Sequence, residues 1–212
     1  MTTTSSRRTV LDRVHAATRA DANAYADIPR TYTRRGTLDT SARLRLMTER
    51  LLEYGAEVVE SSTADLSATI ARQLQSSGRQ TFIAPATIPT DWLTPNINWK
   101  LDNNLPNEEI ERCDGVLTGS FAGVADSGTI VLHHSPTEGR RVITLLPDYH
   151  LCILQASHIV ETLPEYFALF SAPPRLATYI SGPSATADIE MTRIKGVHGP
   201  RFLSVVIVRD DL

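Results

Sequence analysis

Residues 202–208, FLSVVIV, constrain this chain more than any other stretch. Side chains alternate between the two faces of a strand, and here both faces are apolar, so neither suits water. The run therefore reads as a strand in the interior of a sheet. Strand candidates recur upstream at 56–60 (AEVVE), 80–84 (QTFIA), 115–121, 128–133, 141–145, 150–155 and 177–180. Their β-branched and apolar content favours extended backbone. Between the first two, Leu66, Ile70 and Leu74 mark one helix face, with Ser61, Ser62 and Thr63 available as caps and Gly78 at the end. Strands alternating with helices, followed by several strands in succession, predict an α/β protein with a mixed sheet flanked by helices.

Residues 1–55 read as a helical N-terminal extension, ahead of an α/β domain at 56–212. The segment 11–26 is too polar to hold a core alone, so it is either a loosely docked arm or an oligomer contact. It breaks at Ile28-Pro29. A second helix is expected over 39–54, where Leu44, Met47, Leu51 and Leu52 recur at helical spacing and Gly55 fits the C′ position. Residues 85–107 are rich in Pro and Asn and hold Trp92 and Trp99. They read as a long ordered loop, which either frames a site or is simply pinned to the core by its rings. Short helices are expected at 106–113 and 163–170.

With 212 residues, 42% hydrophobic composition and a net charge of −3, the chain is globular and carries no electrostatic invitation to nucleic acid. No apolar segment approaches the roughly 20 residues that span a bilayer. The Arg pair near the N-terminus lacks the apolar run of a secretory signal. A cytoplasmic protein is expected. Cys113 and Cys152 lie far apart, without CxxC or Cys/His ligand spacing. They read as reduced thiols, Cys152 in a buried strand, and no iron–sulfur cluster or zinc is expected on this chain.

Three stretches can carry chemistry. The first is 118–130, TGSFAGVADSGTI, whose amides, hydroxyls and single acid Asp126 either hold an anion or form a Gly-bearing turn. It matches neither a P-loop nor a dinucleotide fingerprint. The second is 181–190, SGPSATADIE, where Ser184 or Thr186 can cap a helix starting near Ala187. Helix-start amides would favour an anion there, whereas Asp188 and Glu190 oppose one. The third is 196–200, GVHGP, followed by Arg201. His198 is a general base, a metal ligand or a hydrogen-bonded turn residue. His133, His134 and His150 are further options, but no spacing unites them into a metal triad. From Ser181 to Pro200 the chain holds three Gly, two Pro, four hydroxyls and one His, a mixture that shapes loops rather than regular elements.

Taken together, ADSGTIVL at 125–132, LLP at 145–147, GPSATADIE at 182–190 and GVHGP at 196–200 resemble the LUD-domain family, over about residues 56–212. Asp126-Ser127 departs from the Glu-Thr more usual there, which keeps an acid and a hydroxyl but shortens the acid. The resemblance implies a fold like that of ribose-phosphate isomerase and CoA-transferases. It also implies a part in oxidising L-lactate to pyruvate alongside iron–sulfur partner proteins. It supplies no defined catalytic residue, and fold analogy cannot do so.

The expectation is thus a non-cluster subunit of a lactate-oxidising system that binds a small anionic ligand. Its pocket would draw on Gly119, Asp126, Ser127, Gly128, Thr129, Ser181, Gly182, Ser184, Thr186, His198, Gly199 and Arg201, with Arg201 pairing the anion. Two alternatives remain: an assembly or regulatory protein without a reaction, using the polar N-terminal helix, or an independent isomerase or acyl-transfer enzyme. Asp126, Glu190 and His198 are the candidate acid/base groups.

Overall fold

A computed structural model of the chain describes residues 3–17, 27–183, 185–187, 193–195 and 199–209. By its contacts the chain divides into two units, Met1–Thr33 and Arg34–Leu212. The first carries helix α1, Thr3–Ala17, whose described side chains are exposed. The second holds three sheets and the other described helices, including α2, Thr40–Glu53. Asp39 caps α2, its Oδ1 accepting the Ala42 amide at 2.7 Å. This satisfies one of the orphan donors of the first turn.

The main sheet has six strands, all parallel, in the order β1-β12-β7-β4-β2-β3. These are β1 Glu57–Ser62, β2 Thr81–Pro85, β3 Asn98–Asp102, β4 Gly115–Thr118, β7 Tyr149–Gln155 and β12 Phe202–Arg209. The mixed pairing lies in a second, four-stranded sheet, β8-β5-β6-β9, built from β5 Ala122–Val124, β6 Thr129–Leu132, β8 Ile159–Val160 and β9 Thr178–Ile180. Helices α3 (Leu66–Ser76), α4 (Asn107–Glu111) and α5 (Leu163–Phe167) complete the unit.

The alternation of side chains along β12 and β7 explains the layers. Leu203, Val205, Ile207, Cys152 and Leu154 join Leu44, Met47 and Leu51 of α2 and Ile130 and Leu132 of β6 in one core. The intervening Val206, Val208, Leu151 and Ile153 join Leu66, Ile70 and Leu74 of α3 on the other face. Burying each such side chain contributes roughly 1.5–3 kcal/mol. This is the two-sided burial that FLSVVIV demanded.

Three local expectations are corrected. The stretch 85–107 is not one long loop: it contains the edge strand β3, which pairs in parallel with β2. Both tryptophans pack on the α3 core, and the Trp99 Nε1 donates to the Thr94 carbonyl at 2.9 Å. Residues 141–145 are not a strand. Gly139, at φ +70, turns the chain, and Arg141–Thr144 forms a 3-10 turn whose amides bond locally, Ile143 to the Arg140 carbonyl and Leu145 to that of Val142. Among the described residues Ala187 opens no helix. Instead β10, Ala185–Ala187, pairs antiparallel with β11, Arg193–Lys195. The register sets Thr186 opposite Ile194.

At the C-terminal end of β3, the Asp102 carboxylate takes both Nε and Nη2 of Arg140, at 2.8 and 2.6 Å, and the Leu105 amide at 3.1 Å. Burial pushes this carboxyl up, but the Arg140 and Leu105 hydrogen bonds and the Arg140 charge outweigh it and hold it below its ordinary value. Its stabilisation is thus present at neutral pH and is lost as pH falls through the depressed value. Asp102→Ala strips a buried acceptor from a guanidinium still partly in water. It is expected to lower unfolding free energy by about 2–4 kcal/mol in urea titration at pH 7, and a loss under about 1 kcal/mol would refute the pair's structural role.

Candidate functional site

Two of the polar bends meet through hydroxyls. Thr129 Oγ1 lies 2.8 Å from Ser127 Oγ and 2.8 Å from Ser181 Oγ, so a three-member chain links the β5–β6 turn to the segment after β9. Both bends rest on the C-terminal turn of α2, and glycine makes this possible. Gly128, at φ +61, would place a Cβ 2.5 Å from Arg50 Cβ. Gly182, at φ +87, would place one 2.4 Å from Tyr54 Cβ. Such φ values favour glycine, and such distances require it.

Ser181, Gly182 and Pro183 then share a cleft of about 430 Å³ with Gly199 and Pro200. The two Gly-Pro pairs, distant in sequence, thus line one hollow. Its other walls come from residues that sequence reasoning did not assign to a site, Arg141, Thr144, Thr178 and Tyr179, and from His150. The doublet Arg140-Arg141 after Gly139 was the available signal. With Arg140 committed to Asp102, Arg141 is exposed and has no side-chain hydrogen bond or ion pair among the described residues.

His150 cannot supply the charge. It is buried, its Nε2 lies 2.8 Å from Thr118 Oγ1, and burial pushes its pKa down to about 4. At neutral pH it is an uncharged imidazole, and Arg141 is the cation of this cleft.

The remaining predicted residues are placed as follows. Gly119 closes against the 133–140 loop, its amide donating to the Thr137 carbonyl at 2.8 Å. Asp126 is exposed in the β5–β6 turn, its amide bonded to the Glu161 carbonyl at 3.0 Å. Arg201, the cation expected to meet the ligand, points its Nε at Asp148 instead. That hydrogen bond and the Asp148 charge raise its pKa. Neither Asp126 nor Arg201 lines the cleft. Thr186 lies in β10, while Ser184, Glu190 and His198 fall outside the described residues.

The adjacent histidines take different partners. His133 stacks on Phe121, ring centroids 3.7 Å apart, and its Nε2 lies 2.7 Å from the Tyr166 hydroxyl. His134 has the left-handed φ of +56, with Nδ1 2.9 Å from the Gly139 carbonyl and Nε2 2.8 Å from Thr178 Oγ1. The carbonyl only accepts, so Nδ1 carries the proton and Nε2 accepts from Thr178. The thiols are inert by environment. Cys113 and Cys152 are buried in different cores, and burial pushes Cys152 up to about 12. Among the described residues no three His, Cys, Asp or Glu side chains are grouped to hold a metal ion, and no helix is long and apolar enough to cross a membrane.

A wholly parallel sheet, a small mixed sheet beside it and a polar cleft at loop ends define an α/β protein of the pocket-bearing kind. More narrowly, the chain belongs to the LUD domain family, whose profile matches residues 13–208. It is 37% identical over 204 residues to a lactate utilization protein C of Deinococcus radiodurans, covering 94% of this chain and 92% of that protein. A lactate utilization protein C of Bacillus subtilis is 35% identical over 125 residues, which span only 55% of this chain and 52% of that one. A crystal structure of a DUF162 family protein from Deinococcus radiodurans superposes with a TM-score of 0.69 at 34% identity, covering 81% of this chain and 99% of that one.

Proposed function

We propose that this chain serves lactate utilisation as a subunit without a metal cluster, and that its cleft beside Ser181–Pro183 binds a small anionic ligand at Arg141. The observation that carries the binding reading is the convergence of both Gly-Pro loops on a cleft whose cation has no protein partner among the described residues. A guanidinium with no carboxylate partner among the described residues is available to grip one planar oxyanion through paired N–H donors. The role in lactate utilisation rests on the names of relatives similar along nearly the whole chain. Oxidising a hydroxy acid to a keto acid releases two electrons and two protons. In this reading the electrons pass to iron–sulfur partner proteins.

Calorimetric titration with L-lactate, pyruvate and inorganic phosphate tests the binding. At least one is expected to bind, and Arg141→Ala to weaken it about 10–100-fold, the equivalent of losing one charge-assisted contact of about 1.5–3 kcal/mol. Arg201→Ala is expected to leave the affinity within about twofold. Equal losses in both variants, or no binding by any of the three, would sink the reading.

A further inference from the structure

The cleft has a neighbour that shares its cation. A second cleft, of about 600 Å³, is lined by Pro85, Thr87, His134, Pro136 and Leu176, and by the 139–141 segment. Arg141 lines both. The two hollows also share their walls. Residues 139–141 border one, and Arg141, Thr144 and Leu145 the other; Leu176 borders one and residues 178–183 the other. Two chain segments thus run alongside each other past both hollows, and His134 ties them together, bonding Gly139 of one and Thr178 of the other. Its strained left-handed backbone is held by these two bonds. The two hollows thus meet at one cation, an arrangement that suits a ligand with two arms.

The larger arm lies where a parallel sheet places ligands, while the smaller arm reaches the amino-terminal starts of β7 and β12 at His150, Pro200 and Leu203. From β2 the chain proceeds to β3 on one side, and from β4 it proceeds to β7 on the other. The end of β2 at Pro85 lines the larger arm. Loops leaving neighbouring strands in opposite directions open a crevice at the carboxyl ends of the strands.

Size and chemistry then restrict the occupant. A three-carbon acid would fill little of either arm, whereas each volume suits a ring-sized body. The smaller arm offers the half-exposed ring of Tyr179, and the larger offers Pro85, Pro136 and Leu176. Both provide apolar surface for a flat ring system. At the junction the charge of Arg140 is matched by Asp102, which leaves Arg141 to set the sign. We propose that the two hollows together hold a two-part ligand of the dinucleotide class, with its bridging phosphates at Arg141 and one ring system in each arm. This rests on the anion-binding reading above and names the class of anion.

ADP-ribose and AMP, titrated calorimetrically into the full chain, separate the possibilities. ADP-ribose, which spans a diphosphate, is expected to bind at least tenfold tighter than AMP, which occupies one arm. Arg141→Gln is expected to weaken both by at least tenfold. Thr87→Trp and Ala86→Trp fill the larger arm from exposed positions and are expected to abolish the advantage of ADP-ribose over AMP. Two such variants guard against one that misfolds. Equal affinities for ADP-ribose and AMP in the wild type, an advantage that survives both tryptophans, or indifference to Arg141→Gln would each overturn the proposal. If pyruvate or phosphate binds in an Arg141-dependent manner while ADP-ribose does not bind, the two-armed ligand is wrong and the anion site stands. If none of them binds, both fail.

Discussion

Below about pH 6.5 the protein is expected to lose stability faster than a variant lacking His150. The imidazole is buried beside Thr118 and held neutral, with its pKa pushed down to about 4 by burial alone. In the unfolded chain the same group titrates near 6.5. Between these values the unfolded state binds a proton that the folded state refuses, so stability falls as the pH drops. One such group contributes a slope of about 1.4 kcal/mol per pH unit, or about 3 kcal/mol over the whole window. Urea unfolding of the wild type and His150→Gln at pH 7.5, 5.5 and 4.5 reads this out. Carboxylates contribute the same background to both proteins, so the difference between the curves isolates His150. The stability gap between the two is expected to shrink by about 2–3 kcal/mol across the series. Parallel curves would show that the imidazole titrates normally and is not sealed from water.

Gly128→Ala is the second large effect. Alanine there must adopt a left-handed φ near +61 and drive its methyl to 2.5 Å from Arg50 Cβ. The first demand costs about 1–2 kcal/mol and the second about 1–3 kcal/mol, because Arg50 Cβ is fixed to the α2 backbone and cannot swing aside. A total loss of about 2–5 kcal/mol is expected. Gly78 is the control. Its φ is +67, but nothing lies within 4 Å of its added Cβ, so Gly78→Ala should show the backbone penalty alone. Thermal unfolding of the two variants separates strain from collision. If Gly128→Ala is no worse than Gly78→Ala, the β5–β6 turn does not sit against α2 as described. The same seating positions Thr129 beneath Ser181, so Gly128→Ala is also expected to weaken anion binding in the cleft.

Much of this architecture was legible in short windows. The α2 helix announced itself through Leu44, Met47 and Leu51, with Gly55 after it, and these occupy core and positive-φ positions. The strands at 57–62, 81–85, 149–155 and 202–209 followed from local apolar content. The short strands β5 and β8 escaped notice because three and two residues leave too little pattern. Edge strand β3 escaped because Asn and Pro around it mask a five-residue alternation. The cleft was half legible. Ser181, Gly182 and Gly199 line it, and the cation on its wall is Arg141 rather than Arg201. Arg201 carries the family-like motif context, yet Asp148 claims it from 53 residues away.

By itself, the sequence determined that this is an α/β protein with a strand interior to a sheet, and it carried the motifs that mark a LUD domain. Both are written in neighbouring residues, because side-chain period and turn chemistry act over a few positions. Only the tertiary structure decided which guanidinium is ion-paired: Asp102 takes Arg140 and Asp148 takes Arg201, while Arg141 has no such pair among the described residues. Ion pairing depends on distances between groups remote in the chain, such as Asp102 and Arg140, 38 residues apart. A charge is released or consumed only when the sheet has brought its partner near.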